Sequence, residues 1–182
     1  DIILIGEIRD KETMEIAIKA SLTGHLVLST FHTNDAPSAI SRFVYMGLEP
    51  YLLGSTLNMI IAQRLVRRVC EKCRQPATLT EDIIQRLKLT PEQLAGATLY
   101  EGKGCAECGN SGYRGRLPIF EFLVMDNEIR DLISSGGREA QIRGLARQKG
   151  YGDLFSCGVA RMLEGKTTAE EVLRVTFCDD TA

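Results

Sequence analysis

The cysteines form the clearest chemical pattern in the sequence. Four of the six form two Cys-x-x-Cys pairs, Cys70 with Cys73 and Cys105 with Cys108. Two such pairs supply four thiolates, the ligand set of tetrahedral Zn²⁺, and four protein ligands leave no open coordination position. We therefore predict a structural zinc site. The rival interpretation, a redox pair of the thioredoxin kind, does not account for the second pair. Cys157 and Cys178 are expected to be inert thiols.

A single glutamate, Glu7, follows a short run of apolar residues at Ile2–Ile5. This run predicts a fully buried strand of a parallel sheet. Ligands of open α/β sheets collect beyond the carboxyl ends of the strands. A carboxylate there can hold Mg²⁺, or can align and deprotonate the water that attacks a γ-phosphate. The alternative is a solvated turn glutamate, because short motifs produce many false matches.

A histidine, His32, follows a second apolar strand predicted over residues 25–30. If the two strands are neighbours, their loops share one edge of the sheet, and His32 and Glu7 can face one ligand. An imidazole at that edge could donate a hydrogen bond to a phosphate oxygen. The alternative is a capping or core histidine, and we assign that role to His25 at the start of the strand.

Capping residues and hydrophobic periodicity predict the elements that would position Glu7 and His32. Asp10 can cap a helix that extends to residue 22. Asp35 begins a helix that stops near Gly47, and a further helix is predicted over residues 49–66. Strands that alternate with helices are typical of an α/β layered fold.

The pattern changes in the second half of the chain. Thr80 and Thr90 each begin a short helix between the cysteine pairs, and a strand is predicted over residues 117–125. Four later helices are predicted over residues 128–133, 138–149, 154–163 and 168–175. Thr167 and Glu170 form a predicted capping box on the last of these helices.

Residues 160–167 resemble a relaxed phosphate-loop motif, with Ala160 where the first glycine would stand. A phosphate loop requires a strand before it and a helix after it. The apolar residues before Gly165 instead lie on one face of a predicted helix, and Gly165 is expected to terminate that helix. We therefore interpret the segment as a helix end.

Composition excludes several classes of protein. The 182 residues carry a formal net charge of -2, so the overall charge does not indicate a nucleic-acid partner. No apolar stretch approaches the length of a membrane helix, and no signal peptide is recognisable, so we do not expect a disulfide framework. Because the chain begins at Asp1 and enters directly into an apolar strand, we expect it to be a piece of a longer protein.

Several segments together resemble the type II/type IV secretion ATPase superfamily. They are residues 1–10, 21–36 and 63–67, the paired Cys-x-x-Cys motifs, residues 112–116 and residues 171–176. The nearest members are the general secretion pathway E and type IV pilus extension ATPases. The resemblance covers nearly the whole chain, although residues 155–158 differ from the Leu-rich, Asp-Gly-containing stretch usual in the family.

The resemblance implies roles for individual residues. Glu7 corresponds to the Walker B glutamate, and His32 belongs to the histidine box of the family. Arg64, together with Gln63 and Thr30, is expected to contact the nucleotide. Family members carry a Walker A motif upstream of Walker B. We therefore expect ATP and Mg²⁺ to be cofactors of the full-length protein, and this chain alone to be inactive.

The resemblance also implies an assembly. The family forms hexamers that act on an inner-membrane platform protein and associated cytoplasmic-membrane components, and it is cytoplasmic and peripheral to the inner membrane. Pilus retraction ATPases lack the cysteine pairs, which favours secretion or pilus extension. No nucleic-acid partner is expected.

The predicted fold class is therefore α/β, the second half of a RecA-like P-loop NTPase domain with a tetracysteine zinc insertion and a helical C-terminal region. The predicted boundaries are residues 1–66 for the ATPase core, 67–110 for the insertion, and 111–182 for a return strand and the helices. A rival hypothesis is a zinc-containing interaction module with vestigial nucleotide motifs, but Glu7, His32 and Arg64 are all intact.

Overall fold

A computed structural model describes residues 1–177, so Cys178 lies outside the described residues. The chain divides into two compact units. The first contains Asp1–Ala62 and Glu121–Tyr151, and the second contains Gln63–Phe120 and the described residues from Gly152 onward. The three-region division predicted from the sequence stays a prediction. None of the helices within residues 1–177 has the length and hydropathy that a membrane crossing requires.

The first unit contains a parallel pair of strands. Strand β1 (Ile2–Ile5) pairs with β2 (Leu26–Ser29), with Ile2 opposite Leu26 and Ile5 opposite Ser29. Helix α1 (Lys11–Leu22) connects them and is capped by Asp10, whose carboxylate accepts from the Thr13 N–H at 2.8 Å. The predicted parallel pairing and the cap are both confirmed.

The prediction that β1 is fully buried is wrong for this chain. The exposed fractions are 70% for Ile2 and 77% for Leu4. Leu26 and Leu28 on β2 are also exposed, at 45% and 48%. An apolar run predicts burial only where a second layer covers the strand, and the described residues leave these four side chains open to solvent.

Four more helices complete the first unit: α2 (Ala36–Tyr45), α3 (Pro50–Thr56), α6 (Asn127–Ser134) and α7 (Glu139–Gln148). Helices α3 and α6 pack so closely at Gly54 that an added Cβ would lie 2.1 Å from Ser134 Oγ. Buried side chains of this unit include Met14, Leu53, Ile129 and Ile142. Position 54 therefore requires glycine for packing.

The predicted helix over residues 49–66 is wrong beyond α3. Residues Met59–Val69 form strand β3, which pairs in a two-stranded sheet with β6 (Tyr113–Val124). On β3, Ala62, Val66 and Val69 are buried. The partner strand is far along the chain, so local periodicity gave no sign of the pairing that makes this apolar segment a strand.

The second unit combines the cysteine region with the last helices. Its short elements are β4 (Arg74–Pro76), α4 (Glu81–Arg86), α5 (Pro91–Ala95), β5 (Tyr100–Gly102) and a 3-10 helix, Ala106–Cys108. Helices α8 (Leu154–Leu163) and α9 (Ala169–Phe177) follow. They share a hydrophobic core with the residues after α4, formed by Leu87, Leu89, Val159, Met162 and Val172. The cysteine region thus does not fold apart from the C-terminal helices.

The segment that resembles a phosphate loop is a helix end, as predicted. Residues Leu154–Leu163 are helical, and Gly165 follows with φ +71. A Cβ on Gly165 would lie 2.7 Å from the Tyr100 ring. The predicted capping box on α9 is wrong, however, because Thr168 Oγ1, not Thr167, accepts from the Glu171 N–H at 3.2 Å. The Thr167 hydroxyl donates instead to the Arg67 carbonyl at 2.8 Å.

Candidate functional site

Glu7 and His32 lie beyond the carboxyl ends of two paired parallel strands. β1 ends at Ile5 and β2 at Ser29, so both residues lie on the loops at one edge of this sheet. Nε2 of His32 contacts Oε1 of Glu7. The predicted geometry, two polar side chains that share one strand edge, is confirmed.

The carboxylate of Glu7 is partly shielded, whereas its partners are exposed. The Glu7 side chain is 21% exposed, the His32 side chain 79%. Arg9 donates from Nε to the second oxygen, Oε2, and its side chain is 76% exposed. The carboxylate thus lies between one guanidinium and one imidazole and has acceptor capacity left for a water or a cation.

Hydrogen bonds from residues after β2 fix the loop that carries Glu7. The Ile8 N–H donates to the Thr30 carbonyl at 3.0 Å. The Thr30 hydroxyl donates to the Gly6 carbonyl at 2.6 Å. Ile8 itself is buried, with 8% of its surface exposed. The residues on both sides of Glu7 are therefore anchored.

Helix α2 anchors the loop that carries His32. Arg42 on this helix donates from Nη1 to the His32 carbonyl at 2.6 Å. The ring of Phe31 stacks on Phe43, with 4.3 Å between centroids and an interplanar angle of 11°. The backbone of His32 is thus held while its imidazole extends into solvent.

The start of α2 receives side chains from distant parts of the sequence. Asp35 caps the helix by accepting from the Ser38 N–H at 2.9 Å. Arg143 donates to the other Asp35 oxygen at 2.9 Å. The Ala36 N–H donates to Glu121, a buried carboxylate on β6, at 3.3 Å. The Asp35 cap was predicted from the sequence, whereas Glu121 carries no local signal within its strand that would have marked it.

The remaining predicted nucleotide contacts lie on different elements. Gln63 and Arg64 belong to β3 in the second unit, where Gln63 is exposed and Arg64 is half-buried. Thr30 is in the first unit. His25 has its Nδ1 3.2 Å from the Ala20 carbonyl, near the end of α1, which agrees with the capping or core role expected for it.

The four paired cysteines converge on one point. Their sulfur atoms all lie within 4.8 Å of one another. The separation is 3.7 Å between Cys105 and Cys108, and 3.9 Å for both Cys70–Cys105 and Cys73–Cys108. A tetrahedral ion with metal–sulfur bonds of about 2.3 Å requires sulfur separations of roughly 3.8 Å. The predicted convergence is confirmed, and the cluster could hold a metal ion.

Backbone amides surround the sulfurs of this cluster. The Cys105 and Gly112 N–H groups donate to Cys108 Sγ at 3.2 and 3.3 Å, and the Gly104 N–H donates to Cys73 Sγ at 3.3 Å. The chain can approach this closely only at glycines, since a Cβ on Gly102 would lie 2.0 Å from the Gly112 carbonyl oxygen. These amides favour thiolate sulfur, the form that binds metals.

Two thiols of the cluster, those of Cys73 and Cys108, differ in pKa. Burial raises the pKa of the Cys73 thiol to about 12. Burial acts in the same direction on Cys108, but the amides of Cys105 and Gly112 outweigh it and lower that pKa to about 6. Cys108 therefore favours the thiolate at neutral pH, and a bound cation would replace the proton on Cys73.

A buried carboxylate, Glu171, joins the base of the cysteine region to α9. It accepts from the Arg67 N–H at 2.8 Å and from Nε of the same arginine at 2.9 Å. Arg174 donates to it from Nε at 3.0 Å and from Nη2 at 2.6 Å. Burial would raise the pKa of Glu171, but hydrogen bonds from Arg174 and Arg67 lower it to about 2. The structural role of Glu171 could not be predicted from the sequence, because its partner Arg67 lies 104 positions away.

Comparisons with known proteins agree on one family. Residues 1–174 match the family model described as Type II/IV secretion system protein. The type IV pilus assembly ATPase PilB of Thermus thermophilus is 48% identical over 177 residues, which are 97% of this chain and 20% of that protein. The type II secretion system protein E of Pseudomonas aeruginosa is 48% identical over 176 residues, 97% of this chain and 34% of that protein. The chain thus spans about a fifth to a third of these relatives.

Solved structures share the fold. The pilus retraction motor PilT with bound ADP superposes with a TM-score of 0.65 at 23% identity, covering 96% of this chain and 39% of that chain. The ATPase DotB of Legionella pneumophila superposes with a TM-score of 0.65 at 21% sequence identity. The match covers 97% of this chain and 38% of that chain. The predicted α/β fold class is confirmed at this level. The match of residues 1–174 shows that the chain belongs to the Type II/IV secretion system protein family.

Proposed function

We propose that this chain is the C-terminal portion of a motor ATPase that powers type II secretion pseudopilus assembly or type IV pilus assembly. The observation that carries the proposal is the contact between Glu7 and His32 at one edge of a parallel strand pair, in a chain of this family. Relatives from both systems support the activity without separating the systems.

In the proposed mechanism, Glu7 is the Walker B glutamate of the second half of a RecA-like domain. Its carboxylate aligns the attacking water and accepts its proton, or holds Mg²⁺. His32 donates to a phosphate oxygen and orients Glu7 through their contact. The partial shielding of Glu7, at 21% exposure, fits a group that must keep acceptor capacity for water.

The proposal includes nucleotide contacts from Gln63 and Arg64. Both side chains belong to β3, and Arg64 can pair with phosphate oxygens because a guanidinium presents several donors in one plane. ATP and Mg²⁺ are the proposed cofactors of the full-length protein. We expect this chain alone not to hydrolyse ATP, since it lacks a phosphate loop.

We further propose that the cysteine cluster binds structural Zn²⁺. The sulfur separations of 3.7 and 3.9 Å support a tetrahedral site, and four thiolate ligands leave no position for a substrate. The ion would hold together the two ends of the segment that contains α4 and α5. Its role is therefore conformational, and the residues that carry it are Cys70, Cys73, Cys105 and Cys108.

The proposed assembly is a cytoplasmic homo-hexamer that lies on the inner membrane through a platform protein and associated membrane components. The names of two relatives, a pilus assembly ATPase and a type II secretion system protein, support only the two systems in which such an assembly would act. The formal net charge of -2 gives no support for a nucleic-acid partner.

The test is Glu7→Gln in the full-length protein, with the rate of ATP hydrolysis and the nucleotide dissociation constant measured together. We expect turnover to fall at least about 100-fold because an amide cannot accept the proton of the water. Nucleotide affinity should stay within about twofold, since the phosphate loop is unchanged. His32→Ala should reduce turnover to a smaller extent.

The matched control is Glu12→Gln, which removes an exposed carboxylate from α1 in the same unit. Its turnover should equal that of the unmodified protein. Normal turnover in Glu7→Gln would refute the catalytic role of this residue. It would favour the rival function, a zinc-containing interaction module.

A further inference from the structure

We propose that Thr30 is a positioning residue that sets the orientation of Glu7, and not a nucleotide contact. The inference rests on the proposed function, because it assigns Thr30 a part in aligning the catalytic carboxylate. Thr30 is the first residue after β2 and stands two positions before His32. It is thus bonded to the loop that carries Glu7 and belongs to the loop that carries His32.

The two hydrogen bonds of Thr30 bracket Glu7. Its hydroxyl donates to the carbonyl of Gly6 at 2.6 Å, and its own carbonyl accepts from the N–H of Ile8 at 3.0 Å. The second bond involves only backbone atoms and survives any substitution that keeps the fold. The first depends on the side chain, so the identity of residue 30 decides whether the Gly6 carbonyl is held.

The hydrogen bond from Thr30 acts on the carbonyl of a glycine, the residue whose backbone is least restricted by its own side chain. A Cβ built on Gly6 would meet nothing within 4 Å, so the space beside this residue is open. Glycine also has the widest conformational freedom of all residues. The peptide between Gly6 and Glu7 determines the direction of the Glu7 side chain. The Thr30 hydroxyl therefore restricts the orientation of this peptide and, through it, the direction of the Glu7 side chain.

The same bond argues against a phosphate contact by Thr30. A hydroxyl has one proton to donate, and the proton of Thr30 is directed at Gly6. What remains on the oxygen is acceptor capacity, which does not attract phosphate oxygens. The β-branched side chain is also restricted at χ1, which suits a fixed link better than an adaptable ligand contact.

Loss of the hydroxyl should leave Ile8 anchored but release the peptide that precedes Glu7. The contact between Glu7 Oε1 and His32 Nε2 would then form for a smaller fraction of the time. Misalignment of a catalytic group by about 1 Å can cost roughly 100-fold in rate. The loss falls on the chemical step, because no group that binds the nucleotide is removed.

The experiment compares Thr30→Val, which keeps the shape and removes the hydroxyl, with Thr30→Ser, which keeps the hydroxyl. Both are made in the full-length protein and in a Glu7→Gln background, and kcat, KM and the nucleotide dissociation constant are measured. We expect Thr30→Val to lower kcat about 10- to 100-fold, with KM and affinity within about twofold. Thr30→Ser should restore kcat to within about threefold of the unmodified protein. In the Glu7→Gln background, Thr30→Val should add no further loss.

Thr23→Val is the matched control. Its hydroxyl donates to the Ala20 carbonyl at 2.9 Å at the end of α1, so the same kind of bond is removed away from Glu7. Its kcat should be unchanged. Thermal melting of all variants verifies that they fold. Because residue 30 is exposed, we expect its substitution to leave the melting temperature unchanged.

Three results would overturn the inference while leaving the proposed function intact, provided that Glu7→Gln is inactive. They are normal kcat in Thr30→Val, weaker nucleotide binding with unchanged kcat, and no recovery in Thr30→Ser. If Glu7→Gln is itself active, the proposed function fails first, and the role of Thr30 fails with it.

Discussion

Two carboxylates, Glu7 in the first unit and Glu171 in the second, show how burial separates a reactive group from a structural one. Both accept from an arginine close to them in sequence, Arg9 for Glu7 and Arg174 for Glu171. The second partner differs. Glu7 contacts the exposed imidazole of His32, whereas Glu171 receives three N–H groups of Arg67.

The difference lies in the acceptor capacity that each carboxylate retains. The Glu171 side chain is 0% exposed, and five N–H groups occupy its two oxygens. Among the described residues, the Glu7 side chain is 21% exposed and contacts two side chains, both of them exposed. A saturated carboxylate holds elements in register, while one with free lone pairs can bind water or a cation. The substitution of Glu by Gln should therefore lower turnover but not stability at Glu7, and should lower stability at Glu171.

Removal of the proposed metal site should have the largest effect. Cys105→Ser should lower the free energy of unfolding of the second unit by more than about 3 kcal/mol, because a structural metal contributes directly to folding. Hydrogen exchange should accelerate around β4 and β5 and stay slow in α1 of the first unit. Metal content, measured without added zinc, should fall from about one equivalent per chain.

Cys157→Ser is the control for this prediction, since the Cys157 thiol lies outside the cluster and is half-buried. It should keep the metal and most of the stability. The zinc proposal would be contradicted if the unmodified protein contained no metal and Cys105→Ser had the same stability. Equal loss of protection from hydrogen exchange in both units would show that the effect of Cys105→Ser is not confined to the second unit.

The second effect concerns the buried carboxylate. Glu171→Gln should lower the free energy of unfolding by about 2–3 kcal/mol, because it replaces a fully buried, charge-assisted acceptor by a neutral one. Glu170→Gln, the exposed neighbour on α9, and Glu7→Gln should each stay within about 0.5 kcal/mol in denaturant titrations. Equal losses for Glu171→Gln and Glu170→Gln would show that the pairing with Arg67 adds nothing.

The pH dependence of the same variants sharpens the comparison. The pKa of Glu171 is lowered from 4.5 to about 2, so its contribution is fully present above about pH 4.5. As the pH falls from 4.5 toward 2, the folded carboxylate must be protonated and this stability is lost. Glu171→Gln should therefore lack this part of the acid loss, and the stability curves of the two proteins should approach each other toward pH 2.

Local signals predicted the elements around Glu7 and His32 well. Asp10 and Asp35 cap their helices within three residues, and each cap is a short polar side chain that accepts a nearby N–H. The parallel strands were found from an apolar run of four residues in β1 and one of three in β2. These features depend on neighbours in sequence, which is why a single sequence predicted them.

Long-range pairing was what the sequence could not reveal. Strand β3 was predicted as a helix because its partner β6 begins more than forty residues later. Glu171 appeared only within the segment 171–176 that carries the resemblance, with no role of its own, since its bond to Arg67 spans 104 positions. The cysteines are the exception, because ligand chemistry marks distant residues as partners without any knowledge of the fold.

The smallest expected effect distinguishes two adjacent threonines before α9. Thr168→Val should cost about 1 kcal/mol, because its hydroxyl oxygen accepts from the Glu171 N–H at 3.2 Å and caps the helix. Exchange of the Glu171 amide should accelerate, and Thr168→Ser should restore its protection. Thr167→Val should also cost about 1 kcal/mol, but by removing the donor to the Arg67 carbonyl, so the Glu171 amide should stay protected. Faster exchange of that amide in Thr167→Val would instead support the capping box predicted from the sequence and would contradict the assignment of the cap to Thr168.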